Sequence, residues 1–408
     1  MHQAHSTARR LNVHNAWVIT AALSCSVMCA FGAAVHAAPP CPADCAPAGG
    51  NGLVNIDDLL EVINAFGPGP SPCDNTPDNG DGTFGNGIVN IDDVLGTINA
   101  FGPCPAVGTF PSMWINGGPN CGTEPAIQVH MFNENFYILR QSLCTNFEAP
   151  FMYLLFGEDK VLMQDTGAGG IAIASTVYGI IDDWLVAHGK SSIDLIVTHS
   201  HGHGDHVAGN SQFNGQPNTT LVGNSQASVA AFFGITNWPT QIVQYDLGGR
   251  IIDVIPIPGH QSAHIALYDR ETNILFTGDT LYPGRCYIAD FPTYVQSIRR
   301  LVNFIDDKPL CWVLGTHIEM TSTPGVDYGF GVTSHPNEHI LQLTRDHLLE
   351  LHDGVIAMQN APFIEDHDDF IIYPLNPAFS AFGRSPLDDP TTLAPDHGTP
   401  VAPIASSP

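Results

Sequence analysis

Between Thr198 and His206 the chain reads Thr-His-Ser-His-Gly-His-Gly-Asp-His, placing four imidazoles and a carboxylate within eight residues. Imidazole nitrogen and carboxylate oxygen are ligands for zinc and other divalent metals, and a loop at a strand end can turn several of them onto one point. An ordinary solvated loop has no use for that density of histidine. The Asp-His pair sets the frame as His201-x-His203-x-Asp205-His206, which leaves His199 outside it as a supporting or solvated residue. More groups of the same chemistry end other apolar runs: Asp165 in Leu162–Gly167, His260 in Pro258–His260, Asp279 in Phe276–Thr280 and His317 in Leu314–His317. Two metal ions held by such a set would lower the pKa of a shared water from 15.7 to roughly 7 and polarise a substrate oxygen. The chain shows no serine-nucleophile elbow.

These groups need strands and helices to converge them. Strand-like runs lie at Ile127–Leu139, Met152–Gln164, Ile193–Thr198, Thr220–Val222, Ile251–Ile257, Ile265–Tyr268 and Ile274–Thr277. Helical spacing occurs at Ile171–Ala187, Gln226–Phe233, Thr293–Ile305 and Glu338–Leu351, the last started by Pro336. Strands and helices mixed at this density predict an α/β layered domain.

The ordered motifs resemble the metallo-β-lactamase superfamily. The carriers are Asp165-Thr166-Gly167, His201-x-His203-x-Asp205-His206, Pro258-Gly259-His260, Phe276–Thr280 with Asp279, and Gly315-Thr316-His317. The resemblance covers roughly 110–380 and implies an αββα sandwich. It further implies that His201, His203 and His260 hold one metal, that Asp205, His206 and His317 hold a second, and that Asp279 bridges them. Zinc is the expected ion, and His/Asp sets also accept iron and manganese. Having both His206 and Asp279 resembles glyoxalase II and the acyl-homoserine lactonases, whereas β-lactamases proper lack the bridging aspartate. The expected activity is hydrolysis of an ester, thioester, lactone or related bond in a small-molecule substrate. Asp205 would orient the nucleophile and carry a proton. Tyr282 matches the position of the lactonases' catalytic tyrosine, and its phenol could donate to a carbonyl oxygen as charge develops. His264 would orient His260 or cap the next strand, and Asp165 would support the site rather than bind metal. His335, Glu338, His339 and His347 fall on the substrate side with no assigned chemistry.

Two rival readings stand beside this one. A mononuclear iron persulfide dioxygenase resembles the same motif set and would use His201, His260 and Asp279. A partner-binding protein with a relict metal site is the other, and the complete ligand set argues against it.

The second reading draws on an internal repeat. Asn51–Pro68 reads NGLVNIDDLLEVINAFGP, and 35 residues later Asn86–Pro103 reads NGIVNIDDVLGTINAFGP. Leu59, Leu60, Ile63 and Phe66, and their counterparts Val94, Leu95, Ile98 and Phe101, lie at helix-face spacing. The pair resembles a type I dockerin, a small α-helical module of two calcium-loop helices. That resemblance places Asn51, Asn55 and Asp58, and Asn86, Asn90 and Asp93, at calcium-ligand positions. It also implies a cohesin-like protein partner. Positions one and three depart from the pattern, falling on Pro47 and Gly49, then on Gly82 and Phe84. The alternative is a repeat that folds without calcium, stapled by cysteines.

Charge and export signals bound the rest. The chain has 408 residues, 40 acidic against 13 basic, and a net charge of −27. Nucleic acid and anionic membrane are therefore poor partners, because phosphate binding needs Lys and Arg. Arg9 and Arg10 precede an uncharged apolar run, and Val35-His36-Ala37 fits a signal cleavage site. Export to the periplasm, cell surface or medium follows, with a membrane anchor as the alternative. The expected organisation is a signal peptide over 1–37, the repeat pair over 41–105, the catalytic domain over 110–380 and a disordered tail over 384–408. Beyond the signal, Cys41, Cys45, Cys73 and Cys104 form one set and Cys121, Cys144, Cys286 and Cys311 a second. Even sets in an exported chain suggest disulfides, and each set of four allows three pairings.

Overall fold

The computed structural model describes residues 43, 45, 53–76, 85–100, 102–103, 108–306, 308–375 and 379–380. The signal segment, the tail, Asn51, Phe101, Cys41 and Cys104 lie outside the described residues. No described helix is long and apolar enough to cross a membrane.

In the repeat pair, β1 (Leu53–Val54), α1 (Ile56–Asn64) and β2 (Gly67–Pro68) are followed by β3 (Ile88–Val89), α2 (Ile91–Asn99) and β4 (Gly102–Pro103). β1 pairs antiparallel with β4, and β2 with β3, so the two copies clasp each other head to tail. Each helix starts with a capping box. Asn55 and Asn90 are the N-caps, and Asp58 and Asp93 reach back to the cap backbone.

Two features here correct the sequence expectations. Asp58 and Asp93 are fully buried, with their oxygens taken up by backbone N–H groups: Cys45 and Asn55 donate to Asp58, and Asn75, Thr76 and Asn90 donate to Asp93. They act as helix caps in the calcium-ligand positions, and Asn55 and Asn90 are caps beside them. Val62, with the Cys45–Cys73 disulfide, fills the small core, while Ile56, Leu60, Ile63, Phe66, Ile91, Leu95 and Ile98 are 47–58% exposed.

The larger part of the chain is built from two six-stranded sheets. The first has the order β10 (Thr219–Leu221), β9 (Asp194–Thr198), β8 (Lys160–Gln164), β7 (Phe151–Phe156), β6 (Phe136–Gln141), β5 (Ile127–Asn133). The second has the order β11 (Val243–Asp246), β12 (Ile251–Pro256), β13 (Ile265–Asp269), β14 (Ile274–Gly278), β16 (Trp312–Gly315), β17 (Gln342–Leu343). A smaller sheet joins β15 (Arg285–Ile288), β19 (Ile371–Pro374), β18 (Phe363–Asp366) and β20 (Phe379–Ser380).

Ile138, Tyr153, Leu155 and Leu162 of the first sheet meet Val254, Ile265, Leu267 and Phe276 of the second in one dry core. The outer face of the first sheet packs on α3 (Ile173–His188) through Val177, Ile181 and Trp184. The outer face of the second packs on α6 (Phe291–Ile305) and α7 (Arg345–Ala357) through Ile298, Leu301, Leu348 and Leu351. The layers are therefore α, β, β, α, as expected. Two short helices, α4 (Gly204–Val207) and α5 (Gln226–Phe233), lie between strands.

Some boundaries differ from the sequence reading. The apolar runs at 127–139 and 152–164 each fold as a hairpin rather than one strand, because turns of two and three residues are hard to see inside apolar stretches. Pro336 does not start a helix. The segment 336–341 is irregular, Gln342–Leu343 pairs antiparallel with β16 as β17, and α7 begins only at Arg345 behind a Thr344–His347 capping box.

Of the second cysteine set, Cys121 and Cys144 are bonded while Cys286 and Cys311 are free thiols.

Candidate metal centre

β8 and β9 run parallel in one sheet, and β12, β14 and β16 run the same way in the other. Their C-terminal ends open at one edge of the sandwich, and every candidate ligand leaves from one of those ends. His201 and His203 follow β9, and Asp205 and His206 ride on α4 just beyond. His260 follows β12, Asp279 follows β14 and His317 follows β16. The two sheets are cross-tied at this edge, with Ile265 N–H donating to Ser200 O (2.8 Å) and Phe151 N–H to Thr316 O (2.8 Å).

Two ligand clusters form, one of His201, His203, His260 and Asp279, the other of Asp205, His206, Asp279 and His317. In the first, His201 Nε2 and His203 Nδ1 are 2.9 Å apart, His260 Nε2 and His203 Nδ1 3.0 Å, and His260 Nε2 and His201 Nε2 3.1 Å. Three ring nitrogens this close, in a mutual triangle, cannot all be satisfied by protons on one another. The spacing is close to the edge of about 3.3 Å that nitrogen ligands subtend around a tetrahedral zinc with bonds of about 2.05 Å. In the second cluster His206 Nε2 lies 3.1 Å from Asp205 Oδ2, and His317 Nε2 lies 3.3 Å from the same oxygen. Asp279 belongs to both: its Oδ2 is 3.6 Å from His260 Nε2 and 3.4 Å from His206 Nε2, and its Oδ1 is 3.4 Å from His317 Nε2.

The outer nitrogen of most of these rings is occupied, which leaves the inner one free to bind. His260 Nδ1 donates to Tyr287 O (2.7 Å), His317 Nδ1 to Glu148 O (2.8 Å) and His206 Nδ1 to Asp165 Oδ2 (3.0 Å), and His201 Nδ1 meets Ser200 Oγ at 3.1 Å. Such partners fix the tautomer and ring orientation of a metal-binding histidine. Asp165 is held at φ +67°, a left-handed conformation that costs energy for a non-glycine residue. There its oxygens also accept from Ser200 N–H (2.7 Å) and Ser200 Oγ (2.8 Å), so it supports the site as expected. Thr316 Oγ1 donates to Asp279 Oδ1. Gly278, at φ +53°, has to be glycine: a Cβ there would sit 2.5 Å from His264 Nε2 and 2.7 Å from Ser200 Cβ.

Electrostatics point the same way. Burial alone would raise the pKa of Asp279, yet His206, His317 and His201 hold it well below the usual carboxylate range. Burial likewise opposes the charge on Asp205, and His206 and His317 overcome it. Burial also disfavours charge on His206, but Asp205, Asp279 and Asp165 raise it well above ordinary imidazole; His317 follows suit beside Asp279 and Asp205. His260, by contrast, is lowered to about 4 by burial and by the neighbouring His203. The ionised carboxylates thus demand positive charge at the centre while burial keeps His201 and His260 of the first cluster neutral. A divalent cation meets both conditions at once.

Other sequence candidates fall elsewhere. Tyr282 is buried, its hydroxyl donating to Arg285 O, with its ring 5.6 Å from that of His317. In this rotamer its proton is not available to a substrate, contrary to the donor role expected of it. His264 stacks on His201, ring centroids 4.7 Å apart, and sits edge-on to His260 at 5.5 Å, so it touches both. His199 is buried rather than solvated and bonds Asn210 Oδ1 at 2.8 Å. His339 and His347 share Asp369, and His335 bonds Glu338, which is also paired with Arg140.

The sequence reading missed Glu148 and Tyr287, which act on the ligands through backbone carbonyls that any residue could supply. It also missed Thr316, whose position next to His317 was the one available signal.

The fold and the twin clusters define an αββα protein with a paired His/Asp metal-ligand set. The metallo-beta-lactamase superfamily pattern matches residues 145–358, just over half of the chain, and the chain belongs to that superfamily. A hydroxyacylglutathione hydrolase of Rhizobium meliloti (strain 1021) is 33% identical over 155 residues, 37% of this chain and 59% of that protein. The acyl-coenzyme A thioesterase MBLAC2 of Homo sapiens is 25% identical over 193 residues, 38% of this chain and 68% of that protein. Both named relatives are hydrolases. The chain spans 59% and 38% of the first two hydroxyacylglutathione hydrolases that it matches. A solved metallo-beta-lactamase from Pontibacter korlensis is 15% identical, covering 57% of this chain and 99% of that one with a TM-score of 0.37.

Proposed function

We propose that this protein is a secreted binuclear metal-dependent hydrolase that cleaves an ester, thioester, lactone or related bond in a small molecule. The observation that carries the reading is the Asp279 carboxylate, which faces both ligand clusters at once. His201, His203 and His260 would hold one zinc, and Asp205, His206 and His317 the other, with Asp279 between them. Bound metal would supply an acidified water and a polarised carbonyl oxygen. The chain does the rest. Asp205 accepts and passes the nucleophile's proton, Asp165 and Ser200 keep His206 aimed inward, and Thr316 fixes the Asp279 carboxylate. The complete second cluster favours this over a single-iron dioxygenase, which needs only His201, His260 and Asp279. Export draws support from the Cys45–Cys73 and Cys121–Cys144 disulfides, which persist in oxidising compartments.

In the same proposal the repeat pair is a dockerin-like docking module for a cohesin-like partner. Its support is the exposed apolar residues repeated on α1 and α2, of the kind that marks interaction sites. Calcium in its loops would have to draw Asp58 and Asp93 away from the backbone N–H groups they now accept.

The test is a screen of esters, lactones, thioesters and phosphodiesters with the zinc-loaded full chain, with its chelator-treated form and with Asp279→Asn. Hydrolysis should disappear on chelation, return with zinc and fall about a hundredfold or more in the variant. Turnover that ignores the chelator would refute the proposal.

A further inference from the structure

Away from the metal ligands, one stripe of α6 borders a groove. Gln296, Arg299, Arg300, Asn303 and Phe304 follow one another at helical spacing, and together with Ile242, just before β11, they line an open groove of about 430 Å³. A volume of that size suits a small molecule. Ile242 and Phe304 supply half-buried apolar surface, and Gln296 and Asn303 add exposed amides. None of these residues belongs to either ligand cluster.

The two guanidinium groups in this groove are unspent. In a chain with 40 acidic residues against 13 basic, Arg140, Arg250, Arg270 and Arg285 each pair with a carboxylate. Arg299 and Arg300 have no carboxylate partner among the described residues. Arg299 Nη2 donates to Gln359 Oε1 (3.2 Å), and Arg300 Nη1 donates to Pro256 O (2.9 Å) and Ser297 Oγ (3.4 Å). Arg300 is half-buried, and burial lowers its pKa with no anion to offset the cost. Its position is fixed as well: the bond to Pro256 ties it to β12, and Ser297 Oγ donates to Pro258 O (2.6 Å) beside it. Donors held in place before a ligand arrives lose little freedom on binding it.

We propose that this groove is a binding site for a small carboxylate with an apolar body, held by Arg299 and Arg300. A guanidinium fork matches the planar carboxylate, and Ile242 and Phe304 take the apolar part. A single negative charge suits the site better than a polyanion, because the net charge of −27 repels multiply charged ligands most. The site shares no residue with the metal centre and stands whether or not the hydrolase reading holds.

The test is fluorine NMR on the full chain, zinc-loaded and chelator-treated, titrated with 4-(trifluoromethyl)benzoate, its neutral amide and 4-(trifluoromethyl)phenyl phosphate. The benzoate should bind both forms of the chain about equally and about tenfold or more tightly than the amide. Arg299→Gln should weaken it by a similar factor. Gln296, exposed on the same stripe, gives a pair of variants that a folding defect cannot mimic: Gln296→Glu should weaken benzoate binding and Gln296→Lys should strengthen it, with amide binding unchanged in both. Benzoate that binds only the zinc-loaded chain sits on the metal and overturns the proposal. So does benzoate that binds no better than the amide, that ignores the Arg299 and Gln296 variants, or that does not bind at all. Tighter binding of the phosphate overturns the carboxylate assignment.

Discussion

At the scale of single residues, the site depends on groups that hold ligands still as much as on the ligands. Asp165 is the clearest case, since one carboxylate takes Ser200 N–H, Ser200 Oγ and His206 Nδ1 together. Asp165→Asn keeps the size and tolerates the left-handed backbone, but its amide nitrogen cannot accept from both Ser200 Oγ and His206. Zinc affinity should fall about 10- to 100-fold, measured by competition against a chromophoric chelator. Tyr282 leads to the opposite expectation. Because its hydroxyl is committed to Arg285 O, Tyr282→Phe should change kcat/KM by less than about fivefold while lowering thermal stability through the lost buried hydrogen bond, worth about 1 kcal/mol. A hundredfold loss of kcat with the melting temperature unchanged would restore the proton-donor role. The two His/Asp clusters were legible in the sequence as candidate ligands because their spacing is dense and ordered. Arg285 was not, because its partners Glu319 and Asp327 lie more than thirty residues away and no local pattern joins them.

At the scale of elements, what matters is which strand ends open on the same edge. The alternation of apolar runs and helical patterns gave the layered architecture and most strand positions. The hairpin turns at Glu134–Asn135 and at Gly157–Asp159 were hidden because each is only two or three residues long between runs rich in apolar residues. The stretch from Glu338 to Thr344 was read as the first turns of a helix because Pro336 precedes a run at helical spacing, and it folds instead as an irregular stretch and the short strand β17. There His335 bonds Glu338 and His339 bonds Asp369. The start of the domain is tied to its first sheet by Cys121–Cys144, a loop of moderate length. Replacing both cysteines with serine should cost about 3 kcal/mol of unfolding free energy, read from urea denaturation, with metal content unchanged. A loss of metal in that variant would show that the disulfide shapes the site as well as the fold.

At the scale of the whole molecule, the centre exists only if the two sheets keep their mutual position, and one buried cation bridges them. Arg250 forms a double contact with Asp269 within the second sheet (Nε to Oδ1, 3.0 Å; Nη2 to Oδ2, 2.6 Å) and donates across to Asn135 O and Phe156 O of the first. Arg250→Met would leave Asp269 buried and uncompensated and should destabilise the domain by about 3–5 kcal/mol. Adding Asp269→Leu should recover much of that loss, because the double variant removes the stranded charge; a double variant no more stable than the single would contradict this account. The central claim concerns the ions themselves, and elemental mass spectrometry on chain purified without added metal tests it most directly. Two divalent ions per chain, zinc or zinc with iron, are expected, falling to one or fewer in Asp279→Asn. A single iron per chain with no zinc would contradict the binuclear hydrolase and put the dioxygenase in its place.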